Sequence, residues 1–202
     1  PAAFQGTIYN LERKALLAAA VNEGLVTQPP LPEVGSGFPR QFDVLQINSL
    51  NRVSLYDVAE PDWLDEYLVN LRRLRRRLND LWMEGLQQSY AQVNLPSIFK
   101  CYAGRVVESM AAGRPVISWG PPRTRTRALF ASGQEIELFE RDDAHGLTKA
   151  ILQLQENPEA AQRIAERARA KVLRHHTAEV RIRQVLDWLE RGDLPDYGED
   201  DF

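Results

Sequence analysis

The sequence predicts an α/β fold in which a mostly parallel sheet is flanked by helices and followed by a helical C-terminus. Short segments rich in β-branched and aromatic residues alternate with segments whose apolar residues recur at helical spacing. Residues 115–119 (PVISW) are almost continuously apolar, which is typical of a strand covered on both faces. Strands that alternate with helices form βαβ units, and such units build parallel sheets.

Each element follows from its local pattern. Strands are expected at residues 4–9, 42–48, 90–95, 115–119 and 135–139. Helices are expected at residues 11–22, from 61 or 62 to about 81, and at 104–112, 123–132 and 144–156. Residues 158–191 predict two further helices, with Thr177 as the N-cap of the second. In the first helix the spacing predicts one buried side made of Leu11, Leu16, Leu17, Ala20 and Val21.

Composition excludes several classes of protein. The chain has 202 residues and a formal net charge of −3, and this slightly acidic balance argues against a general nucleic-acid binder. Cys101 is the only cysteine, which excludes an intramolecular disulfide and favours a reducing, cytoplasmic location. The longest apolar run, residues 15–21, is far below the roughly 20 residues needed to cross a bilayer.

We expect one domain over residues 1–191, followed by an acidic, flexible tail over residues 192–202. The chain begins with Pro-Ala-Ala and not with Met, so we expect it to be a piece of a longer protein.

Residues 93–119 carry the pattern that is most informative about chemistry. A strand ends at Leu95, a loop carries Lys100, and a helix begins near Gly104. The first turn of a helix presents unpaired N–H groups and the positive end of the dipole, which together bind phosphate. Arg105 adds a fork of donors there, and Glu108 lies one turn further on the same side, where a carboxylate can accept from ribose hydroxyls. The pattern favours a nucleoside diphosphate, although a plain helical salt bridge would also place these two residues together.

The run at residues 105–118 (RVVESMAAGRPVIS) resembles the C-terminal, donor-binding domain of bacterial GT-B glycosyltransferases. It is similar in particular to the group 1-like proteins related to the spore-maturation protein CgeB. Residues 4–13, 129–139 and 176–189 resemble the first strand and loop, the segment after the fourth strand and the closing helices of that family. About two-thirds of the chain takes part, and residues 28–88 contribute least.

This resemblance implies a Rossmann-like domain that binds a UDP- or GDP-sugar as substrate, without cofactor or metal, in the synthesis of a cell-envelope glycan. In that family the Glu that matches Glu108 holds the ribose of the donor, and the helix N-terminus, here at Gly104 and Arg105, holds its diphosphate. We also expect Gly6, Tyr9 and Arg13 to bind the donor, although Arg13 would equally suit a solvated position at the start of its helix. Arg105 and Lys100 would be the catalytic residues, because they would stabilise the leaving diphosphate. Many family members have a second Glu where this chain has Lys100, so retention or inversion at the anomeric carbon stays open. The resemblance also implies an acceptor site in an N-terminal domain missing here, without which this fragment would be inactive.

Two other functions are compatible with the sequence. Five arginines crowd the helix expected from residue 61 or 62, namely Arg72, Arg73, Arg75, Arg76 and Arg77. They could dock a partner or a peripheral membrane surface in a non-catalytic interaction module, but they also suit the solvated side of a helix packed through its leucines. Those leucines are Leu64, Leu68, Leu71, Leu74, Leu78 and Leu81. A nucleotide-sugar epimerase would share the GT-B plan. His145, His175 and His176 lack the spacing of a metal site.

Overall fold

The computed structural model describes residues 1–5, 11–27, 61–98 and 100–197. Within them, parallel strands form one sheet in the order β2-β1-β3-β4-β5. The strands are β1 (Ala2–Ala3), β2 (Val26–Thr27), β3 (Gln92–Asn94), β4 (Val116–Trp119) and β5 (Glu137–Phe139). The helices are α1 (Leu11–Asn22), α2 (Pro61–Gln87), α3 (Gly104–Ala111), α4 (Thr124–Arg127), α5 (Ala144–Glu156), α6 (Pro158–His175) and α7 (Ala178–Arg191). The predicted α/β fold is confirmed.

Two apolar clusters cover the two faces of the sheet, because successive residues of a strand point to opposite sides. The first cluster joins Ile117 and Trp119 of β4 to buried residues of α1 and α5, among them Leu17 and Leu147. The second cluster joins Val116 to buried residues of α3 and α6, including Met110 and Val172. All four residues of β4 are buried, as the apolar run predicts. The helices α1 and α3 therefore lie on opposite faces of the sheet.

The chain divides into two compact units, Pro1–Pro29 with Met83–Phe202 and Pro30–Trp82. The single domain expected over residues 1–191 stays a prediction. In the second unit, the predicted helix begins at Pro61, and the five arginines of its central part are exposed, as expected of a solvated face. Of the leucine stripe, Leu68 is exposed and Leu71 and Leu81 are half-buried. The side chains of Leu64, Leu74 and Leu78 lie outside the described part.

The strand positions near the N-terminus differ from the prediction. The first strand is Ala2–Ala3, whereas aromatic and β-branched content favoured residues 4–9. Hydrogen bonds define the strand: Ala3 N–H donates to Ala91 O at 2.8 Å, and Phe4 N–H donates to Thr27 O at 3.0 Å. The small side chains of Ala2 and Ala3 are sufficient for strand formation here, because β2 and β3 form hydrogen bonds to both edges of β1. The strand β2 was not predicted, and the strand expected at residues 42–48 lies outside the described residues.

Two helix predictions are corrected. Helix α1 has its predicted bounds, but Leu11 and Val21 are exposed and Arg13 takes a place on the buried side with Leu16, Leu17 and Ala20. The buried positions 13, 16, 17 and 20 follow one helical face, from which residues 11 and 21 are rotated away. The helix expected at residues 123–132 is only the single turn α4. The helix does not extend to residue 132, because the Ala131 N–H donates to Glu135 Oε2 at 2.8 Å and Gly133, with φ of +76°, turns the chain.

The C-terminal helices follow the predicted plan. Thr177 separates α6 from α7, and its Oγ1 accepts from the Val180 N–H at 3.3 Å. Beyond α7, Asp196 contacts both helices: its Oδ2 lies 3.3 Å from His175 Nδ1, and its carbonyl oxygen accepts from Gln184 Nε2 at 2.7 Å. The predicted flexible tail includes these contacts, and its residues 198–202 lie outside the described part.

Replacement of Thr177 by alanine is expected to lower the free energy of unfolding by about 1 kcal/mol, because the Val180 N–H loses its capping acceptor. Urea denaturation measures this free energy. The Thr177→Ser variant keeps a hydroxyl in the same place and should remain near wild type. Equal stabilities of Thr177→Ala and wild type would contradict the capping role.

Candidate functional site

The candidate site lies at the carboxyl ends of β1 and β3. From β1 the chain passes to β2 on one side of the sheet, and β3, β4 and β5 follow on the other side. The helices α1 and α3 flank this point on opposite faces, and we call the region between the two strand ends the crevice. Open parallel sheets bind ligands at such a reversal, outside the carboxyl ends of their strands.

Arg105 in the first turn of α3 reaches across this crevice to the end of β1. Its Nη1 donates to Gln5 O at 2.7 Å, and its Cζ lies 5.6 Å from the centroid of the Phe4 ring. A hydrogen bond to a carbonyl oxygen orients the guanidinium group without itself neutralising the charge. The predicted phosphate-binding arginine therefore stands at the reversal point of the sheet.

Arg13 of α1 makes the reciprocal contact with the end of β3. Its side chain is almost fully buried, its Nε donates to Pro96 O at 2.6 Å and its Nη2 donates to Leu95 O at 3.2 Å. Arg13 thus fixes the loop that leads towards α3, while Arg105 fixes the segment that leads towards α1. Two positive charges are held at the same edge of the sheet.

Helix α3 begins without a side-chain cap. Ala103 is its N-cap and supplies no side-chain hydrogen bond, and Gly104 is exposed. The exposed Glu108 lies beside this glycine, since a Cβ at Gly104 would be 3.9 Å from Glu108 Oε1. The structure therefore brings Gly104, Arg105 and Glu108 together at one helix end, as the sequence predicts.

The remaining predicted site residues are Lys100, Gly6 and Tyr9. Lys100 is exposed in the loop before α3, and its φ of +53° is a conformation that side chains other than Gly, Asn and Asp rarely adopt. Its N–H donates to Ser97 O at 3.2 Å, so the unusual backbone belongs to a tight turn. Gly6 and Tyr9 lie outside the described residues.

A further arginine joins the loops of this edge. Arg141, after β5, donates from Nε and Nη2 to the two carboxylate oxygens of Glu12 at 2.6 and 2.8 Å. The hydrogen bond from Arg141 lowers the pKa of Glu12, and burial opposes the shift. This contact connects the start of α1 to the far side of the sheet.

A model of glycosyl transferase-like proteins matches residues 38–187, about three-quarters of the chain. The chain belongs to the glycosyl transferase-like family. The matched region contains β3 and α3, with Gly104, Arg105 and Glu108, but it begins after Arg13. A comparison with curated proteins finds no significant match.

Beside α3, this glycosyl transferase-like chain has a cavity of about 270 Å³ that the sequence did not predict. Its walls come from the loop before α3, from α4 and the segment after it, and from the junction of α6 and α7. They include Tyr102, Gly104, Val107, Phe130, His176 and Arg181. The Tyr102 and Phe130 rings meet edge to face, with centroids 5.6 Å apart. The cavity adjoins the N-terminus of α3 on the side of β4, because α4 follows that strand.

His176 and Arg181 are the polar groups of this cavity that sequence reasoning missed. Burial, together with the positive charge of Arg181, lowers the pKa of His176 to about 4, so the imidazole is neutral at pH 7. His176 Nδ1 contacts Arg181 Nη2, which can only donate, and the ring proton is therefore on Nε2. Nε2 is buried and has no hydrogen-bond partner among the described residues. The sequence signals were the position of His176 just before the helix cap and the resemblance of residues 176–189 to the closing helices of the glycosyltransferase family.

Two further observations concern metals and membranes. In the part of the chain that the structure describes, no group of three or more His, Cys, Asp or Glu residues could hold a metal ion. None of the helices in that part is long and apolar enough to cross a membrane.

The lowered pKa of His176 predicts a pH-dependent stability. The unfolded chain takes up the imidazole proton near pH 6.5, and the folded chain takes it up only near pH 4. The contribution of the neutral imidazole is present above pH 6.5 and is lost as the pH falls towards 4. Urea denaturation of wild type and His176→Gln across this range is expected to show wild type losing stability relative to the variant. A constant difference between the two proteins would contradict the shifted pKa.

Proposed function

We propose that this chain binds a nucleotide-diphospho-sugar donor, with UDP or GDP as the nucleotide, for transfer of the sugar to an acceptor. In this proposal the chain is the C-terminal, donor-binding half of a GT-B glycosyltransferase related to the CgeB-like proteins. The observation that carries it is the uncapped N-terminus of α3, which lies with Arg105 at the reversal point of the sheet. Membership of the glycosyl transferase-like family supports the same reaction class.

The diphosphate is assigned to the N-terminus of α3 and to Arg105. Backbone N–H groups and the helix dipole favour an anion there, and a guanidinium group matches two phosphate oxygens at once. Arg13 supplies a second positive charge from the opposite face of the crevice and orients the loop after β3 through its bonds to Leu95 and Pro96. Lys100 lies in the same loop, where an ammonium group could approach the outer phosphate.

Glu108 is assigned to the ribose. Its carboxylate is exposed and lies next to Gly104, so the absence of a side chain at that glycine leaves room for a ligand between the helix end and the carboxylate. A carboxylate accepts hydrogen bonds from two adjacent hydroxyls, which the ribose of a nucleotide presents. Gly6 and Tyr9, from the segment after β1, complete the proposed donor site.

In the reaction, the bond between the anomeric carbon and the outer phosphate oxygen breaks, and the electron pair leaves with the nucleoside diphosphate. An acceptor hydroxyl oxygen bonds to the anomeric carbon and gives up its proton to a base. The helix dipole, Arg105 and Lys100 would stabilise the negative charge that develops on the leaving group, without a metal ion. The acceptor and the base are assigned to a partner domain, so these 202 residues would bind the donor without transferring the sugar.

Replacement of Glu108 by alanine is expected to weaken UDP or GDP binding at least tenfold, about 1.4 kcal/mol, because the ribose hydroxyls lose their acceptor. Isothermal titration calorimetry measures the affinity. Glu156→Ala, which removes an exposed carboxylate at the end of α5, is the matched control and should bind like wild type. The proposal fails if neither nucleotide binds wild type at millimolar concentration.

The Arg105→Gln variant is expected to separate phosphate recognition from the rest of the site. It should weaken UDP binding at least tenfold and leave uridine binding unchanged, because only UDP carries the charge that Arg105 meets. Arg105 also bonds to Gln5 O, so thermal unfolding must show that the variant is folded at the assay temperature. An equal loss for uridine and UDP would argue against a phosphate contact.

A further inference from the structure

The structure assigns a second ligand site to a cavity of about 610 Å³ at the amino ends of β3 and β4, with a small, hydroxyl-bearing phosphate monoester as its occupant. Arg114 and Arg169 belong to its wall, and we call it the Arg114 cavity. It lies at the edge of the sheet opposite to the crevice, because Tyr90 and Pro115 of its wall precede β3 and β4. The inference therefore goes beyond the proposed function, which places the donor at the other edge.

The Arg114 cavity is open because small residues form much of its wall. The end of α3 and one face of α6 meet there, and the small residues that they contribute are Ala111, Ala112, Gly113, Ala161 and Ala165. The volume lies within the roughly 300–1,000 Å³ of pockets that hold small molecules. All of the lining residues belong to the first compact unit of the chain. The fold therefore leaves room there for a whole small molecule.

Backbone carbonyl groups hold both arginines of the wall in place. Arg114 Nη2 donates to Gln87 O at 2.5 Å, and Arg169 Nε donates to Ala111 O at 3.2 Å. Arg169 also lies against Gly113, since a Cβ at that glycine would be 3.7 Å from Arg169 Cδ. Carbonyl groups orient a guanidinium without neutralising its charge.

Both guanidinium groups keep donors for a ligand. Among the residues that the structure describes, neither Arg114 nor Arg169 forms an ion pair, and Arg114 Nη1 and the two Nη atoms of Arg169 have no hydrogen-bond partner. Arg114 Nε is buried, so the outer nitrogens are the ones that a ligand can reach. Two positive charges thus belong to one cavity wall, which favours an anion as the occupant.

The charge of the two arginines favours a phosphate monoester over a carboxylate. A phosphate monoester carries a charge of about −1.5 to −2 at pH 7, whereas a carboxylate carries a single negative charge. A guanidinium group can also pair with two phosphate oxygens at once, and a phosphate has enough oxygens for two such groups. The dianion is therefore the better match to Arg114 and Arg169.

The other end of the Arg114 cavity offers an acceptor for hydroxyl groups. Gln162 Nε2 donates to Glu166 Oε1 at 2.8 Å, and both side chains are exposed in the cavity wall. Gln162 lies one turn before Glu166, whereas Arg169 lies one turn after it, and the seven residues from Gln162 to Arg169 span about 10 Å of helix. A carboxylate accepts from hydroxyl groups and repels a second anionic group. The expected ligand therefore has one phosphate end and one polyol end.

The first test measures binding of mannitol 1-phosphate by isothermal titration calorimetry. Arg169→Gln should weaken binding at least tenfold, because the phosphate loses one of its two guanidinium partners. Arg167→Gln is the matched control: it removes an exposed arginine of the same helix that is outside the cavity, and it should bind like wild type. Arg114→Gln should repeat the loss from the other wall. Thermal unfolding checks that each variant is folded at the assay temperature.

The second test compares ligands. Mannonate, which has a carboxylate in place of the phosphate, should bind at least tenfold more weakly than mannitol 1-phosphate, and mannitol should not bind at millimolar concentration. Phenyl phosphate carries the same charge without hydroxyl groups. Wild type should prefer mannitol 1-phosphate to phenyl phosphate, and Glu166→Ala should lose this preference. Glu156→Ala, outside the cavity, should keep it.

The Arg105→Gln variant distinguishes this inference from the proposed function, because Arg105 belongs to the proposed donor site. It should bind mannitol 1-phosphate like wild type. If Arg105→Gln loses this ligand and Arg169→Gln keeps it, the phosphate lies in the donor site and the inference is overturned. If UDP and GDP fail to bind but mannitol 1-phosphate binds in an Arg169-dependent way, the proposed function fails and this inference stands.

Three further results would overturn the inference or one of its parts. Absence of mannitol 1-phosphate binding at millimolar concentration overturns the site, whatever the nucleotides do. Equal affinities of wild type for mannonate and mannitol 1-phosphate overturn the choice of a phosphate. Equal affinities for phenyl phosphate and mannitol 1-phosphate overturn the role of Glu166 as the acceptor for hydroxyl groups.

Discussion

The reciprocal arginine contacts across the central strands are the constraint on which the rest of this edge depends. Parallel strands end with carbonyl groups that have no partner within the sheet, and those groups need donors when buried. Arg13 from α1 donates to Leu95 and Pro96 after β3, and Arg105 from α3 donates to Gln5 after β1. Each helix is thus tied to the strand that precedes the other helix, so α1 and α3 are held on both sides of one crevice.

The same contacts give the crevice its chemistry. A buried guanidinium is costly unless its donors are satisfied, and backbone carbonyls satisfy them while leaving the group positively charged. The uncapped start of α3 adds the positive end of its dipole at the same place. In the proposed function, the groups that close the loops also supply positive charge to the diphosphate, and Glu108, which lies beside Gly104, would accept from the ribose hydroxyls.

The local signals in the sequence predicted most of the helices and the strands β3, β4 and β5, but they did not predict β1 and β2. The bounds of α1 and α5, and the division at Thr177, follow from caps and periodicity that act within a few residues. The strands β1 and β2 are only two residues long and are defined by hydrogen bonds to distant partners, which no local pattern contains. The strand end, the helix start and Glu108 of the candidate site lie in one segment and were predicted. The cavity wall combines residues 102–107 with His176 and Arg181, which only the tertiary fold brings together.

At the junction of α6 and α7, residues near the C-terminus influence the protonation of His176 in the wall of the cavity beside α3. Arg181 donates to Gln184 Oε1 at 2.9 Å, and its Cζ lies 4.3 Å from the centroid of the Tyr197 ring. These contacts hold the guanidinium beside His176, where its charge helps to keep the imidazole neutral. A neutral imidazole that accepts from Arg181 must carry its proton on the opposite nitrogen. The residues after α7 therefore act on His176 through Arg181, because they help to hold the guanidinium against Nδ1 and so leave the proton on the buried Nε2.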